Sequence, residues 1–205
     1  ENPWELISKH IHEQTQETKN WAIEENFLTV ERYRNIQKEF SQSIMKADVT
    51  EKIQQMMVIK SEDEIAKMIE AGKYADFAFE VGFKAIKEGA TEQEIIAEIE
   101  YELKKKGIMK MSFSTLVLAG SHAASPHGTP GDRKIAKDEL VLFDLGTVYE
   151  GYTSDATRTV SFGQPTEQMK EVHAIVLEAH MTALAAVKPG VTAGTLDKLA
   201  RDVIT

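Results

Sequence analysis

The chain has 205 residues, of which 42% are hydrophobic and 28% charged, with a formal net charge of −9. That balance suits a globular protein of one large or two small domains, and it argues against a nucleic-acid-binding surface or a polybasic membrane patch. There is no cysteine, so disulfides and thiolate metal sites are excluded.

No run approaches the roughly 18 apolar residues of a transmembrane helix, and the N-terminus has no signal-peptide pattern. We therefore expect a cytoplasmic protein with no membrane or nucleic-acid partner. The sequence starts Glu1-Asn2-Pro3 without a methionine, so this is expected not to be the natural start. Asn2-Pro3 reads as a helix N-cap followed by Pro in the first turn, with Trp4, Ile7 and Ile11 as an apolar stripe. Residues 21–23 suggest a short strand. Thr29 is placed to cap a second helix that carries Val30, Tyr33, Ile36 and Phe40 on one face. These pieces are too few to close a core and look like part of an α/β domain. Residues 47–60 read as a crossover to a second domain.

Ser61 and Glu64 have the spacing of a capping box, opening a long helix that Gly89 ends. Its expected inner face is Ile65, Met68, Ile69, Gly72, Ala75, Phe79, Gly82, Phe83 and Ile86. The small residues Gly72, Ala75 and Gly82 would let it lie close against a sheet. Thr91 and Glu94 form a second capping box, and that helix stops at Gly107. Strands follow at about residues 115–119, 139–148 and 152–162. A helix over about 167–187 ends at Pro189-Gly190, and Thr192 starts a last one with Leu196, Leu199, Ala200 and Val203 inward. That face has no later element to rest on, so the chain reads as a fragment. Lys104-Lys105-Lys106 sits at a helix end, where cations favour the macrodipole.

Residues 140–145 are an apolar run broken only by Asp144. An ionised Asp inside a buried strand is costly unless something compensates it. If Glu150-Gly151 is a two-residue turn, facing residues sum to 301. Gly146 then faces Asp155, and Asp144 points to the same side as Asp155. Their backbones would be roughly 7–8 Å apart as diagonal neighbours, so both side chains could reach one metal ion or a pair. The competing reading is local satisfaction, with Asp155 paired to Arg158 beside Ser154 and Thr157. Just upstream, the Gly- and Pro-rich loop 124–133 carries His127. Taken alone, His127 could be an exposed loop histidine. His10, His12, His122, His173 and His180 lack comparable context, and His173 and His180 read as helix-surface residues.

The order Pro126-His127-Gly128-Thr129-Pro130, Phe143-Asp144-Leu145-Gly146, then Glu150-Gly-Tyr-x-Ser-Asp155-x-Thr-Arg-Thr159, closely resembles the pita-bread metallopeptidases. It is most like the bacterial Xaa-Pro dipeptidases (prolidases), with aminopeptidase P next. The resemblance runs over residues 58–205 and is most specific over 118–163. It implies an α/β (α+β) architecture: residues 58–205 as the first half of a pita-bread catalytic domain, and residues 1–57 as the C-terminal part of a creatinase-like N-terminal domain. It also implies a site of two divalent metal ions held by two Asp, one His and two Glu. Asp155 would bridge both ions and Asp144 would chelate one, while the other three ligands would come from beyond Thr205. Oxygen-rich ligation suits manganese first, then cobalt or zinc. His127 matches a histidine that is not a ligand and stabilises the tetrahedral intermediate. The implied activity is hydrolysis of the Xaa-Pro amide bond, chiefly in dipeptides, by a full-length homodimer. Aminopeptidase P action on longer peptides is the nearest alternative, and methionine aminopeptidase or creatinase chemistry is further off. A non-catalytic binding module that kept the fold and lost its metals is the reading from another class. With two of five ligands, the 205-residue chain by itself is expected to be inactive.

Overall fold

The structure, a computed structural model, describes residues 3–14, 20–40 and 44–205. The chain divides into two compact units, Glu1–Glu62 and Asp63–Thr205. The helix cap expected at Asn2 lies outside the described residues.

The first unit contains α1 (Pro3–Gln14), β1 (Asn20–Ile23), α2 (Val30–Glu39), β2 (Ile44–Asp48) and α3 (Thr50–Val58). The strands β1 and β2 pair in parallel across α2, which makes a βαβ unit. Thr29 caps α2 as expected, accepting from Arg32 N at 3.3 Å. The stripe on α1 differs from expectation. Ile7 is exposed and Ser8 is buried instead, donating from Oγ to Glu39 O at 3.2 Å. The last two residues of β2 and all of helix α3 stand where the pattern suggested only a crossover. Five residues of mixed polarity carry little period-2 signal, and α3 buries none of its residues.

The second unit is built on α4 (Glu62–Ala85), α5 (Glu92–Lys105), β3 (Leu116–Ala119), β4 (Glu139–Leu145), β5 (Val148–Tyr149), β6 (Tyr152–Thr153) and β7 (Ala156–Phe162). Two further helices follow, α6 (Glu167–Ala185) and α7 (Ala193–Ile204). Strands β3, β4 and β7 form an antiparallel sheet in that order. The core consists of Val117, Val141, Phe143 and Leu145 from the sheet, packed with Ala75, Ala78 and Phe79 of α4 and Ile95, Ile99 and Leu103 of α5.

Helix α4 lies on β4 through a seam of small residues. Thr147 Oγ1 donates to Ala71 O at 2.8 Å, and a Cβ on Gly82 would stand 2.6 Å from Phe143 Cε1. The buried set is Ala71, Ala75, Ala78, Phe79 and Gly82. The expected close packing therefore holds at Ala75 and Gly82, whereas Gly72 has open space around it. Ile65, Met68, Ile69 and Phe83, expected inside, are exposed. The helix also ends at Ala85, ahead of Gly89, which adopts φ 81° in the following turn.

At Thr91 the capping box forms in both directions, and α5 closes in a Schellman motif. Gly107 N reaches Lys104 O and Ile108 N reaches Leu103 O, both at 3.0 Å. Thr166 and Thr192 cap α6 and α7. Leu196, Leu199, Ala200 and Val203 are the half-buried side of α7, as expected, and α6 and α7 pack on each other. Among the described residues no helix is long and apolar enough to cross a membrane.

Candidate active site

Every partner pair on the β4–β7 and β5–β6 ladders sums to 301. The turn at Glu150 and Gly151 sets this register, because both residues have positive φ, 46° and 87°. That is the type I′ geometry whose twist matches two antiparallel strands. The hairpin is nevertheless interrupted between its two ladders. Ser112 enters there, donating from its backbone N to Gly146 O at 2.9 Å and from Oγ to Ser154 O at 2.7 Å. Thr147 N turns to Ser154 Oγ at 3.0 Å. A Cβ on Gly146 would overlap the Ser154 carbonyl oxygen, a backbone atom held by Ser112. Gly146→Ala should thus destabilise the chain by about 3 kcal/mol, at the upper end of overpacking costs. A urea midpoint equal to that of the unsubstituted chain, at the same m-value, would contradict this close fit.

This register puts Asp144 between Leu116 on β3 and Thr157 on β7. Asp144 is half-buried, and Thr157 Oγ1 donates to its Oδ1 at 3.1 Å. Asp155 is exposed and immediately precedes β7. It lies two positions from Thr157, so strand alternation counts it onto the side of Asp144. The local ion pair with Arg158 does not form. Arg158 donates from Nη1 to Thr157 O at 2.8 Å, and its guanidinium stands 5.3 Å from the ring centroid of Phe79 on α4, across the sheet. Among the described residues no Lys or Arg pairs with either aspartate.

Two carboxylates without a protein cation suit a hard divalent metal ion. Among the described residues, however, no three His, Asp or Glu come close enough to hold one. The donor chemistry of the pair fits such an ion.

His127 occupies the third position of a turn over residues 125–128, closed by Gly128 N to Ser125 O at 3.1 Å. Neither Pro126 nor His127 has positive φ, and Pro second with Gly fourth is the type I preference. His127 is exposed. Gly128 sits against Leu118, where a Cβ would meet Leu118 Cδ1 at 2.9 Å. Leu118 pairs with Leu142, two residues from Asp144 on the same strand, so the histidine turn rests over the Asp144 side of the sheet. His173 and His180 are exposed on α6, as their spacing suggested.

Two groups around this loop had no signal in the sequence pattern. Arg133 grips Glu139 through both oxygens, at 2.9 and 2.8 Å, and this hydrogen-bonded pairing holds Glu139 below the usual carboxylate range. Glu92 reads in sequence as a first-turn residue of a capped helix, yet it is fully buried and touches His122. Its partners are 27 to 39 positions away, beyond the reach of any local pattern.

Residues 66–205 match the family model described as metallopeptidase family M24. The Xaa-Pro dipeptidase of Lactobacillus delbrueckii subsp. lactis is 44% identical over all of this chain and 56% of its own length. The X-Pro aminopeptidase of Thermotoga maritima superposes with a TM-score of 0.91 at 35% identity, over 100% of this chain and 57% of that one. The prolidase of Pyrococcus furiosus gives 0.82 at 33% identity, over 98% and 57%. The chain thus spans a little over half the length of the relatives it matches, and its architecture is that of the pita-bread fold.

Proposed function

We propose a function from one premise: the chain belongs to metallopeptidase family M24. It is part of a longer dinuclear metallopeptidase that hydrolyses the amide bond before proline, chiefly in Xaa-Pro dipeptides. The observation that carries this reading is the pair Asp144 and Asp155. They share one register in a hairpin, neither has a cationic partner among the described residues, and the histidine turn rests over the same side. Bound divalent ions, manganese first, would supply an ionised water at neutral pH and polarise the scissile carbonyl. Asp144 and Asp155 would hold them, with Thr157 orienting Asp144 through its hydroxyl. His127 would donate a hydrogen bond to the oxygen that gains charge as the amide is attacked.

Residues 1–57 would be the end of a creatinase-like N-terminal domain and residues 58–205 the first half of the catalytic one. The remaining ligands would come from the second half. Exposed Ile65, Met68 and Ile69 on α4, and Val172, Val176, Met181 and Leu184 on α6, suit burial by that half. The full-length protein would be a cytoplasmic homodimer. Action on longer peptides is the second reading, favoured by the likeness to the T. maritima X-Pro aminopeptidase.

The test uses manganese and Leu-Pro. The 205-residue chain alone should show no hydrolysis, and activity should appear on mixing it with the separately expressed remainder. Hydrolysis by the chain alone would overturn the two-of-five division of ligands. A full-length protein that cleaves Leu-Pro but not Xaa-Pro-Xaa tripeptides is a dipeptidase; the reverse preference establishes the second reading.

A further inference from the structure

The histidine turn follows a short 3-10 helix over Gly120–Ala124 and sets Gly128 against Leu118. Beyond that helix, the backbone bonds of the turn are the one from Gly128 N to Ser125 O and the one from Ser125 N to His122 O. Its position is set by what grips the loop on either side, and both grips lead to one carboxylate. Glu92 is 0% exposed at the first position of α5. On the upstream side its Oε1 accepts from Ala119 N, the last residue of β3, at 2.8 Å. His122 Nδ1 stands 3.0 Å from both of its oxygens. On the downstream side Oε2 accepts from Gly131 N at 3.0 Å. With Glu92 accepting from two backbone N–H groups, Nδ1 of His122 is placed to donate to it as a third. The end of α5 adds further ties, from Gln93 Nε2 to Pro130 O at 2.9 Å and from Glu92 N to Arg133 O at 3.2 Å. Glu92 is thus the shared anchor of residues 119, 122 and 131, and His127 hangs between them.

A buried charge is tolerated at this place for identifiable reasons. The N-terminus of a helix favours an anion, and three N–H donors replace the water that Glu92 lost. An apolar residue there would leave Ala119 N and Gly131 N without partners. A glutamine would turn an amide donor toward at least one of three existing donors.

We infer that Glu92, with His122, is a positioning device for His127: it holds the loop so that the imidazole meets the substrate at the metal centre. The inference rests on the proposed peptidase function. Glu92 touches neither substrate nor metal in this account and acts only through the turn. Placing a reacting group wrongly by about 1 Å can cost about 100-fold in rate, so the effect belongs in kcat more than in KM.

The experiment uses the full-length protein with manganese, Leu-Pro as the probe, and the variants Glu92→Gln, His122→Ala and His122→Gln. Glu92→Gln should lower kcat by about 30- to 100-fold with bound metal unchanged. His122→Ala should lower it by about 10-fold, and His122→Gln, whose amide can still donate to Glu92, should recover most of that. His122 is a third exposed, so its variants keep the test alive if Glu92→Gln does not fold. The deciding measurement is the cycle with His127→Ala. On that background Glu92→Gln should cost less than about threefold more, because residues that act as one unit are not additive. Losses that multiply, or loss of metal with either variant, would overturn the inference. Amide hydrogen exchange reads the same device without activity. Glu92→Gln should speed exchange over residues 119–131 while leaving β4 and β7 unchanged, and an unchanged loop overturns the proposal. A wild-type protein that cleaves neither Leu-Pro nor Xaa-Pro-Xaa tripeptides refutes the peptidase reading, whereas the exchange result still decides whether Glu92 holds the loop.

Discussion

His127→Ala in the full-length protein should lower turnover by about 10²–10³, or about 3–4 kcal/mol in the barrier, with metal content unchanged. His127 is not part of the packed core. It is exposed at the tip of a type I turn whose closing bond runs between Ser125 and Gly128. Alanine at that turn position keeps the backbone geometry, so stability should change by no more than about 0.5 kcal/mol. A large kinetic effect without a stability effect is the signature of a group that acts on the reacting atoms. Metal analysis supplies the check. Loss of the ions from the variant would make His127 a ligand and overturn its proposed hydrogen-bonding role.

Asp155→Asn should cost at least as much, and by a different route. Asp155 is exposed and forms no ion pair among the described residues, so the metal-free protein should unfold at nearly the same temperature as wild type. An amide is neutral and a poor ligand for hard cations, so manganese should be lost from the full-length variant. Even outer partners of a metal ligand are worth about 10–100-fold, and loss of a carboxylate that would hold the ion itself should exceed that. Asp144→Asn is the companion case. Asparagine Oδ1 can still accept from Thr157, so the hairpin should survive while one ion is weakened. Manganese bound at wild-type stoichiometry in both variants would show that these two carboxylates are not the metal centre.

Where the sequence could be read correctly, the information was local. The turn at Glu150-Gly151 is set by two adjacent residues, and counting outward from it gives the pairing of Asp144 with Thr157. The capping box at Thr91, the caps at Thr166 and Thr192, and the stop at Gly107 are equally local devices. The pattern went astray where a choice between faces had to be made. The face expected on α4 joined Ile65, Met68, Ile69 and Phe83 to the small residues. The sheet took Ala75, Phe79 and Gly82 of that face together with Ala71 and Ala78, and left the larger apolar residues exposed. A backbone that must come close enough for Thr147 to reach Ala71 O, with Phe143 over Gly82, has no room for larger side chains.

The class of the protein and the identity of its candidate chemistry follow from local residue order. Asp144, Asp155 and His127 stand in a local order specific enough to point to a metallopeptidase, and family membership agrees with that reading. What surrounds them is visible in the folded chain alone. The interruption of the hairpin by Ser112 and the clamp of Arg133 on Glu139 depend on side chains meeting after the chain has folded. Glu92 is the clearest case: a first-turn glutamate on a capped helix is ordinarily a solvated charge that favours the dipole. It became a buried anchor because the fold brings three N–H donors, from 27 to 39 residues away, to the one helix end where an anion is welcome.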